Sequence, residues 1–543
     1  MPDTPVEETV GFIVEEAKAT EFVFASDRKR YPPKFEYLTV NSEELVEGVL
    51  KPVDVLAQVE RISSVSFALR RDLDIEAIYR IKEAGIDDVK TWGIARILGY
   101  LAPVAKGAPP LVMMPRRAVT PGNSIYIAPS SLLSKFYAYP PEASLYIGNL
   151  ILRPEVPVHL RINGFRRHVA ILAQTGAGKS YLTGVLIEEL MGRGATIVVI
   201  DPHADYVFLS QSVKGAKHNF SDRVTVFQNP ESTGRYSKKD IGQVEPYTVR
   251  LVDLDFDELC SICGIGKGFA NIRVGLGEAL KRLRERGVVY LHEDIENELK
   301  AVAKDEDADK NIKQGALDAL KYIGRLKRLR VFSRSGVPIE KIIKPYHSSV
   351  IDLSGLGNLS TDYIVSRLLK DIYNTVATDA FPYPVFLVVE EAHNFVPPES
   401  NTHSYEIIRR IAAEGRKFGI FLILISQRPG KVHPDSLSQC NSQIVLKITN
   451  PRDQNAIRES SERLSEDLIS DLPGLNVGEA VVVGDITRTP VMIKVRPRIT
   501  REGGADIDVV RSLRQARKAA GIDEHLASQR TKEKRLKGSF SEV

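Results

Sequence analysis

The sequence predicts an α/β protein: a phosphate-loop nucleotide-binding core with a helical insertion, preceded by a small N-terminal β-barrel domain. Three observations predict it. A buried strand, a glycine loop and an amphipathic helix follow one another between His168 and Leu190. Further on, short apolar runs rich in β-branched residues alternate with stretches of helical spacing, the pattern of a parallel sheet covered by helices. Up to about residue 70 the chain instead alternates in the manner of half-buried strands separated by polar turns. A chain of 543 residues has room for about three to four domains.

In chain order, strands are predicted at Val10 to Val14, Glu21 to Phe24, Phe35 to Val40 and Val53 to Ile62, spaced closely enough for a small barrel. Between Asp72 and Leu101, Ile75, Ile78, Tyr79 and Ile81, then Trp92, Ile94, Ala95 and Leu98, fall at helical spacing and predict one or two helices that interrupt or cover it. From Ala102 to His159 short β-like segments return among many prolines, and residues 1–160 are assigned together to the barrel domain. Residues 161–254 form the first part of the core, opened by a βαβ unit: His168 to Leu172, a helix with Leu182, Val185, Leu186 and Leu190 inward, then Thr196 to Ile200. Residues 255–340 are the helical insertion, with Ile272, Leu276, Ala279, Leu280 and Leu283 and later Ala316, Leu317, Leu320, Ile323 and Leu326 in phase. The second part of the core, 341–497, carries strands at Ser349 to Leu353, Val385 to Val389, Ile420 to Ile425, Ile444 to Ile448, Ala480 to Val483 and Val491 to Val495. Residues 498–543 read as a basic helix with a frayed end.

With 74 basic and 70 acidic side chains the formal charge is only +4, which excludes a histone-like mode of nucleic-acid binding and leaves any such contact to a local surface. Three cysteines, Cys260, Cys263 and Cys440, cannot make a disulfide framework. The chain opens Met-Pro-Asp-Thr-Pro without a basic, then apolar leader, and its apolar runs fall far short of the ~20 residues of a membrane helix. A cytoplasmic protein with no membrane contact is expected.

Thr175-Gly176-Ala177-Gly178-Lys179-Ser180 lies between a buried strand and a helix. The glycines allow backbone N–H groups to converge on phosphate oxygens, Lys179 reaches the terminal phosphates, and the Ser180 hydroxyl can ligate Mg²⁺. Ala173 stands where the eight-residue pattern begins with glycine, which is tolerable if its φ is negative. Phe386 to Val389 runs into Glu390-Glu391-Ala392-His393; beside a phosphate loop the first acid suits the metal and the second an attacking water, whereas alone the pair reads as a solvated turn. Gln427 ends another strand, within reach of a γ-phosphate, and Asp201 ends a third, as site residue or helix cap. Arg409, Arg410 and Arg416 on a helix from Ser404 to Phe418 are either surface ion-pair partners or a source of an arginine for a neighbouring subunit. Arg166 and Arg167 share that ambiguity. Cys260-Ser261-Ile262-Cys263 has half-site spacing for zinc, but no second pair accompanies it, so buried thiols are the alternative. The run Lys321, Arg325, Lys327, Arg328, Arg330 is either a DNA contact or the wet face of a helix, and the cations near Arg428 and Lys431 are rival DNA contacts; the residues that bind DNA are left unassigned.

Taken together, Arg166-Arg167-His168-Val169-Ala170-Ile171-Leu172 before the loop, Asp-Pro-His-Ala-Asp-Tyr, Val-Val-Glu-Glu-Ala-His-Asn-Phe, Glu-Gly-Arg-Lys-Phe-Gly and Ser-Gln-Arg-Pro resemble the archaeal and bacterial HerA family over roughly Tyr146 to Arg496. That family groups with the FtsK motors and conjugation coupling proteins. The resemblance implies a RecA-like core and a homo-hexameric ATP-dependent DNA translocase or helicase acting without sequence preference. It also implies work in DNA-end resection and recombinational repair with the NurA nuclease, downstream of a double-strand-break recombination nuclease. By motif, ATP would be held by Arg167, Thr175, Gly176, Ala177, Gly178, Lys179, Ser180 and Tyr181, with Asp485, Ile486 and Thr487 approaching from the C-terminal region. Mg²⁺ would fall to Ser180 and Glu390. Glu391 would be the catalytic base, Gln427 the γ-phosphate sensor and Arg416 the finger acting on a neighbour. In a ring, modest charge from several copies lines one pore, so +4 per chain is compatible with salt-dependent DNA binding. The competing readings are a conjugation- or secretion-type coupling ATPase, and a slow nucleotide-dependent switch.

Overall fold

The computed structural model describes residues 9–520, apart from 47, 103–110, 216, 235, 462, 505–508 and the side chain of 238. Part of the predicted tail, 505–508 and 521–543, therefore lies outside the described residues. Strands β1 (Gly11–Ala17), β2 (Glu21–Ser26), β3 (Tyr37–Val46), β4 (Val49–Val65), β5 (Lys90–Ala102), β6 (Leu111–Met113) and β7 (Ser124–Ile127) form one sheet in the order β2-β1-β7-β3-β4-β5-β6. Antiparallel pairing of β2 with β5, Glu21 to Ser26 against Arg96 to Thr91, closes it into the expected barrel, with β6 outside the closure. Alternate residues point inward: Phe22 and Phe24, Leu38 and Val40, Val55 and Ala57 are all buried there.

One expectation fails inside this barrel. Of the stretch read as helical, only Ile75–Glu83 is a helix, its first turn capped by the Asp74 carboxylate, which accepts from the Ala77 N–H at 2.7 Å. Trp92, Ile94, Ala95 and Leu98 belong to strand β5. The strand carries a bulge: Ala57 faces Ile97 and Leu56 faces Gly99, so Leu98 has no partner across the pair and the inward phase shifts there. Trp92, Ile94 and Leu98 point out of the barrel and Ala95 into it, so apolar residues on both faces of one strand give spacings that imitate a helix. Leu98 is buried on the outside of the barrel, where it packs in one cluster with Tyr37, Leu56, Leu133, Phe136 and Tyr137 and fixes the barrel to the rest of the chain.

The chain continues through a helix that the sequence did not reveal, Ser130–Phe136, into β8 (Ser144–Leu150), β9 (Arg153–Arg161), β10 (Val169–Leu172), β11 (Thr196–Asp201), β12 (Val224–Gln228) and β13 (Val244–Pro246). A short parallel pair, β14 (Val249–Arg250) and β15 (Phe332–Ser333), stands apart. Then come β16 (Ser348–Asp352), β17 (Val385–Val389), β18 (Ile420–Ser426), β19 (Ser442–Val445), β20 (Glu479–Val483) and β21 (Val491–Val495). All but β14 and β15 join a 12-stranded sheet in the order β13-β12-β16-β11-β17-β18-β10-β19-β20-β21-β8-β9. It is parallel from β13 to β19 and antiparallel from β19 to β9. The segment read as one barrel domain thus divides: β8 and β9 precede the phosphate loop in sequence yet complete the core sheet. Every residue of β10, β11, β16 and β17 is buried, which explains the apolar runs of β10, β11 and β17.

Between β14 and β15, which clip its entry and exit, the insertion consists of helices Phe256–Cys263, Ala270–Glu285, His292–Lys304 and Lys310–Arg328, as the periodicity predicts. The second and fourth of these touch at Gly275 and Gly315; a Cβ on Gly275 would overlap the backbone of Ala316 and one on Gly315 that of Asn271. Cys260 and Cys263 are buried one turn apart on the first helix, and burial pushes the Cys263 thiol up to about 12. All five cations of the 321–330 run are exposed; Lys321 pairs with Asp318 at 2.9 Å and Arg330 with Glu231 at 3.4 Å.

After β21 the chain does not fray at once. Residues 496–504 run as a strap over the helix Lys179–Gly192 that follows the phosphate loop. Arg496, only 7% exposed, pairs with Glu188 at 2.9 Å and Glu189 at 2.8 Å. The N–H groups of Ile499 and Thr500 donate to Glu188 at 2.9 and 2.6 Å. Gly184 leaves the space that the Arg498 guanidinium fills.

Candidate active site

The register of the parallel strands brings the chemistry together. Leu172 of β10 faces Ser426 of β18, Val389 of β17 faces Ile200 of β11, and the loops that leave these carboxyl ends meet in one place, where an open parallel sheet presents its ligand site. Gly176 and Gly178 both adopt positive φ, +78° and +99°, the region that side chains oppose. Ala173 is not among the positive-φ residues, so alanine fits where the pattern has glycine.

Lys179 Nζ donates to Glu390 Oε2 at 2.7 Å and to Glu391 Oε1 at 2.8 Å. Burial opposes its charge, but the two carboxylates prevail and hold its pKa above the ordinary lysine value. Burial also pushes the Glu390 carboxyl up, against the pull of Lys179 and of a hydrogen bond donated by the Tyr206 hydroxyl. One lysine therefore under-compensates this acidic centre. Glu391 sits at φ +51° at the turn out of β17. Its Oε1 also accepts from Gln427 Nε2 at 2.9 Å, while Thr175 Oγ1 donates to Gln427 Oε1 at 2.6 Å, so Gln427 bridges the loop to the acid. Its other oxygen, Oε2, has no hydrogen-bond partner among the described residues although the side chain is only 3% exposed; His393 Nδ1 stands 3.2 Å away, and burial lowers the pKa of that imidazole, against the pull of Glu391.

Sequence reasoning missed four neighbours. Ser180 Oγ donates to Asp205 Oδ2 at 2.7 Å. Tyr206 binds Glu390, and His203 and His393 flank Glu391. For Asp205, Tyr206 and His203 the signal was the string Asp201-Pro202-His203-Ala204-Asp205-Tyr206, whose reading stopped at the strand end; for His393 it was the run Glu390-Glu391-Ala392-His393. Asp201 itself is fully buried and accepts from the N–H groups of His203, Asp205 and Tyr206 at 3.3, 3.0 and 2.9 Å, so it shapes the loop that presents the others. The oxygen donors Ser180, Asp205 and Glu390 suit a hard cation such as Mg²⁺, which takes one or two carboxylates and completes its shell with phosphate and water. Among the described residues no cluster of three histidine, cysteine or acidic side chains is arranged to hold a metal alone.

Five predicted residues lie elsewhere. Arg167 precedes β10 and Arg416 ends the helix Tyr405–Phe418 just before β18, so both stand at the amino end of the strands whose carboxyl ends form the site. Asp485, Ile486 and Thr487 come after β20, which runs antiparallel, and reach the same amino end: Arg167 pairs with Asp485 at 3.4 Å and the Ile486 carbonyl accepts from the Arg161 N–H at 2.8 Å. The side chain of Ile486 is fully buried and that of Thr487 nearly so. Tyr181 is turned away as well, its hydroxyl accepting from the Arg498 N–H at 2.7 Å. Arg416 is exposed without a recorded ion pair among the described residues, whereas Arg409 and Arg410 pair with Glu406 and Glu414 on their own helix.

The family described as "Helicase HerA, central domain" matches residues 145–372, beginning at β8. The chain is 30% identical over 546 residues to the DNA double-strand break repair helicase HerA of Pyrococcus furiosus, covering 90% of this chain and 92% of that one. It is 28% identical over 521 residues to the probable helicase MJ1565 of Methanocaldococcus jannaschii, with 93% of each covered. Among solved structures, the bacterial conjugative coupling protein TrwBdeltaN70 is similar at 14% identity and a TM-score of 0.47, covering 70% of this chain and 93% of that chain.

Proposed function

Because this chain belongs to the HerA family of helicases, we propose that it is an ATP-hydrolysing DNA helicase, a motor of double-strand-break repair. The observation that carries the reading is the meeting of Lys179, Glu390, Glu391 and Gln427 from three strand ends, with Arg416 held at the opposite end of the same sheet.

ATP lies along residues 175–180, and Lys179 leaves the two carboxylates for its phosphates. Mg²⁺, when bound beside Ser180 and Glu390, supplies the positive charge that offsets phosphate and carboxylate together. Glu391, released from Lys179, orients the attacking water and takes its proton. Gln427, tied to both Thr175 and Glu391, registers whether a γ-phosphate separates them. Arg416, too far along the sheet to serve its own loop, acts on the nucleotide of a neighbouring subunit, with Arg167 and Asp485 on the same surface. Such a site is complete only between subunits, which supports a closed ring, a homo-hexamer, with DNA phosphates gripped in its pore without base readout. The fitting partners are the NurA nuclease and a recombination nuclease that opens the break, in the cytoplasm. No helix among the described residues is long and apolar enough to cross a membrane.

The test is turnover with and without DNA. Duplex or single-stranded DNA should stimulate ATP hydrolysis, and Glu391→Gln should lower the rate about 10²–10⁴-fold while nucleotide still binds. Turnover indifferent to DNA would sink the motor reading.

A further inference from the structure

We infer that Asp205 is the second carboxylate of the Mg²⁺ site, and that the C-terminal strap holds it there; the inference rests on the ATPase reading and adds a residue and an element to it. Asp205 accepts at 2.7 Å from the hydroxyl of Ser180, the group that the phosphate-loop motif gives to the metal. The next residue, Tyr206, hydrogen-bonds Glu390, the other metal-side acid, so one loop touches both. Ala204, at φ +60°, turns the chain sharply just before Asp205. An independent sign that a ligand belongs here is Glu391, next in sequence to Glu390: it is 3% exposed, and one of its carboxylate oxygens has no hydrogen-bond partner among the described residues.

The strap reaches Asp205 from outside. Gly503 N–H donates to the Asp205 carbonyl at 2.9 Å. Gly504, at φ +59°, lies so close that a Cβ would overlap Asp205 Oδ1. Upstream, Arg498 is 5% exposed and spans from the Ser180 carbonyl, 3.4 Å from its NH1, to the Tyr206 ring, with 6.0 Å from its guanidinium to the ring centroid. A single segment thus braces the two sides of the metal position, Ser180 and the 201–206 loop. Asp205 acts on the metal, directly or through one of its waters; Arg498 and Gly504 are positioning residues.

The experiment reads metal, not turnover. Binding of a fluorescent non-hydrolysable ATP analogue is measured by anisotropy on the full chain, first in EDTA and then with Mg²⁺ or Mn²⁺ titrated in. In Asp205→Asn, whose amide oxygen can still accept from Ser180, the affinity in EDTA should stay within about twofold while the metal midpoint rises about 10–100-fold, the range for losing a partner of a metal site. Gly504→Ala should shift the midpoint in the same direction by less. An unchanged midpoint in Asp205→Asn overturns the metal role, and an unchanged midpoint in Gly504→Ala overturns that of the strap. If Asp205→Asn loses its cooperative melt, Asp205→Glu is read instead, with a raised midpoint expected and a wild-type one decisive against. Failure of the wild-type protein to bind the analogue under any condition would strike the ATPase reading itself.

Discussion

His168 ties three segments together with one tautomer. Its Nδ1 accepts from the Leu422 N–H at 2.9 Å, so Nε2 carries the proton and donates to the Ala412 carbonyl at 3.0 Å, joining the start of β10, β18 and the helix Tyr405–Phe418 that carries Arg416. Burial lowers its pKa to about 4, against ~6.5 in an unfolded chain. A depressed histidine binds its proton more readily when unfolded, so its contribution is complete above pH ~6.5 and is lost as the pH falls towards 4, by about 3 kcal/mol in all. Thermal melts between pH 7 and 4 should therefore fall more steeply for the native protein than for His168→Gln; parallel curves would count against it. At this scale the sequence revealed the residues whose chemistry depends on a fixed spacing, Thr175 to Ser180, and those at the end of an apolar run, Glu390, Glu391 and Gln427. Asp205 was invisible because its role comes from a loop that folds back across space onto Ser180. The side-chain directions of Ile486 and Tyr181 were not legible, because a motif position says nothing of where a side chain turns.

The elements were legible where one period persists. The insertion helices and the fully buried strands β10, β11 and β17 have a consistent pattern; β5 hides its own because both of its faces carry apolar residues, and the helix Ser130–Phe136 is too short to display one. The strap carried no periodic signal at all, since its partners, Glu188, Glu189 and Ser180, lie more than 300 residues upstream. The contact of Gly275 with Gly315 allows a prediction for one element alone. Gly275→Ala forces apart two helices whose backbones meet, a cost of about 1–3 kcal/mol. Hydrogen exchange should quicken in 270–328 while the amides of β10, β11 and β17 keep their protection; uniform loosening would show that the insertion does not fluctuate as a unit.

For the molecule as a whole, the 12-stranded sheet is a rigid span with the phosphate loop at one end and Arg416 at the other. Mixing Arg416→Ala with Glu391→Gln should restore part of the activity that each lacks, because a boundary between the two can hold an intact acid on one side and an intact arginine on the other. No recovery at any ratio would place the arginine outside a shared site. The same sheet also decides where this protein can be cut. β8 and β9 cover β21 from a position in sequence ahead of the phosphate loop. A fragment begun at residue 161 would leave β21 with a row of unpaired N–H and C=O groups, a template for any passing strand. Removing the barrel by a cut near Pro141 should give a dispersed, cooperatively melting core, whereas the shorter fragment should aggregate at equal concentration. A genetic fusion or excision that treats everything before the phosphate loop as one detachable module would expose a sticky edge that the intact chain keeps covered.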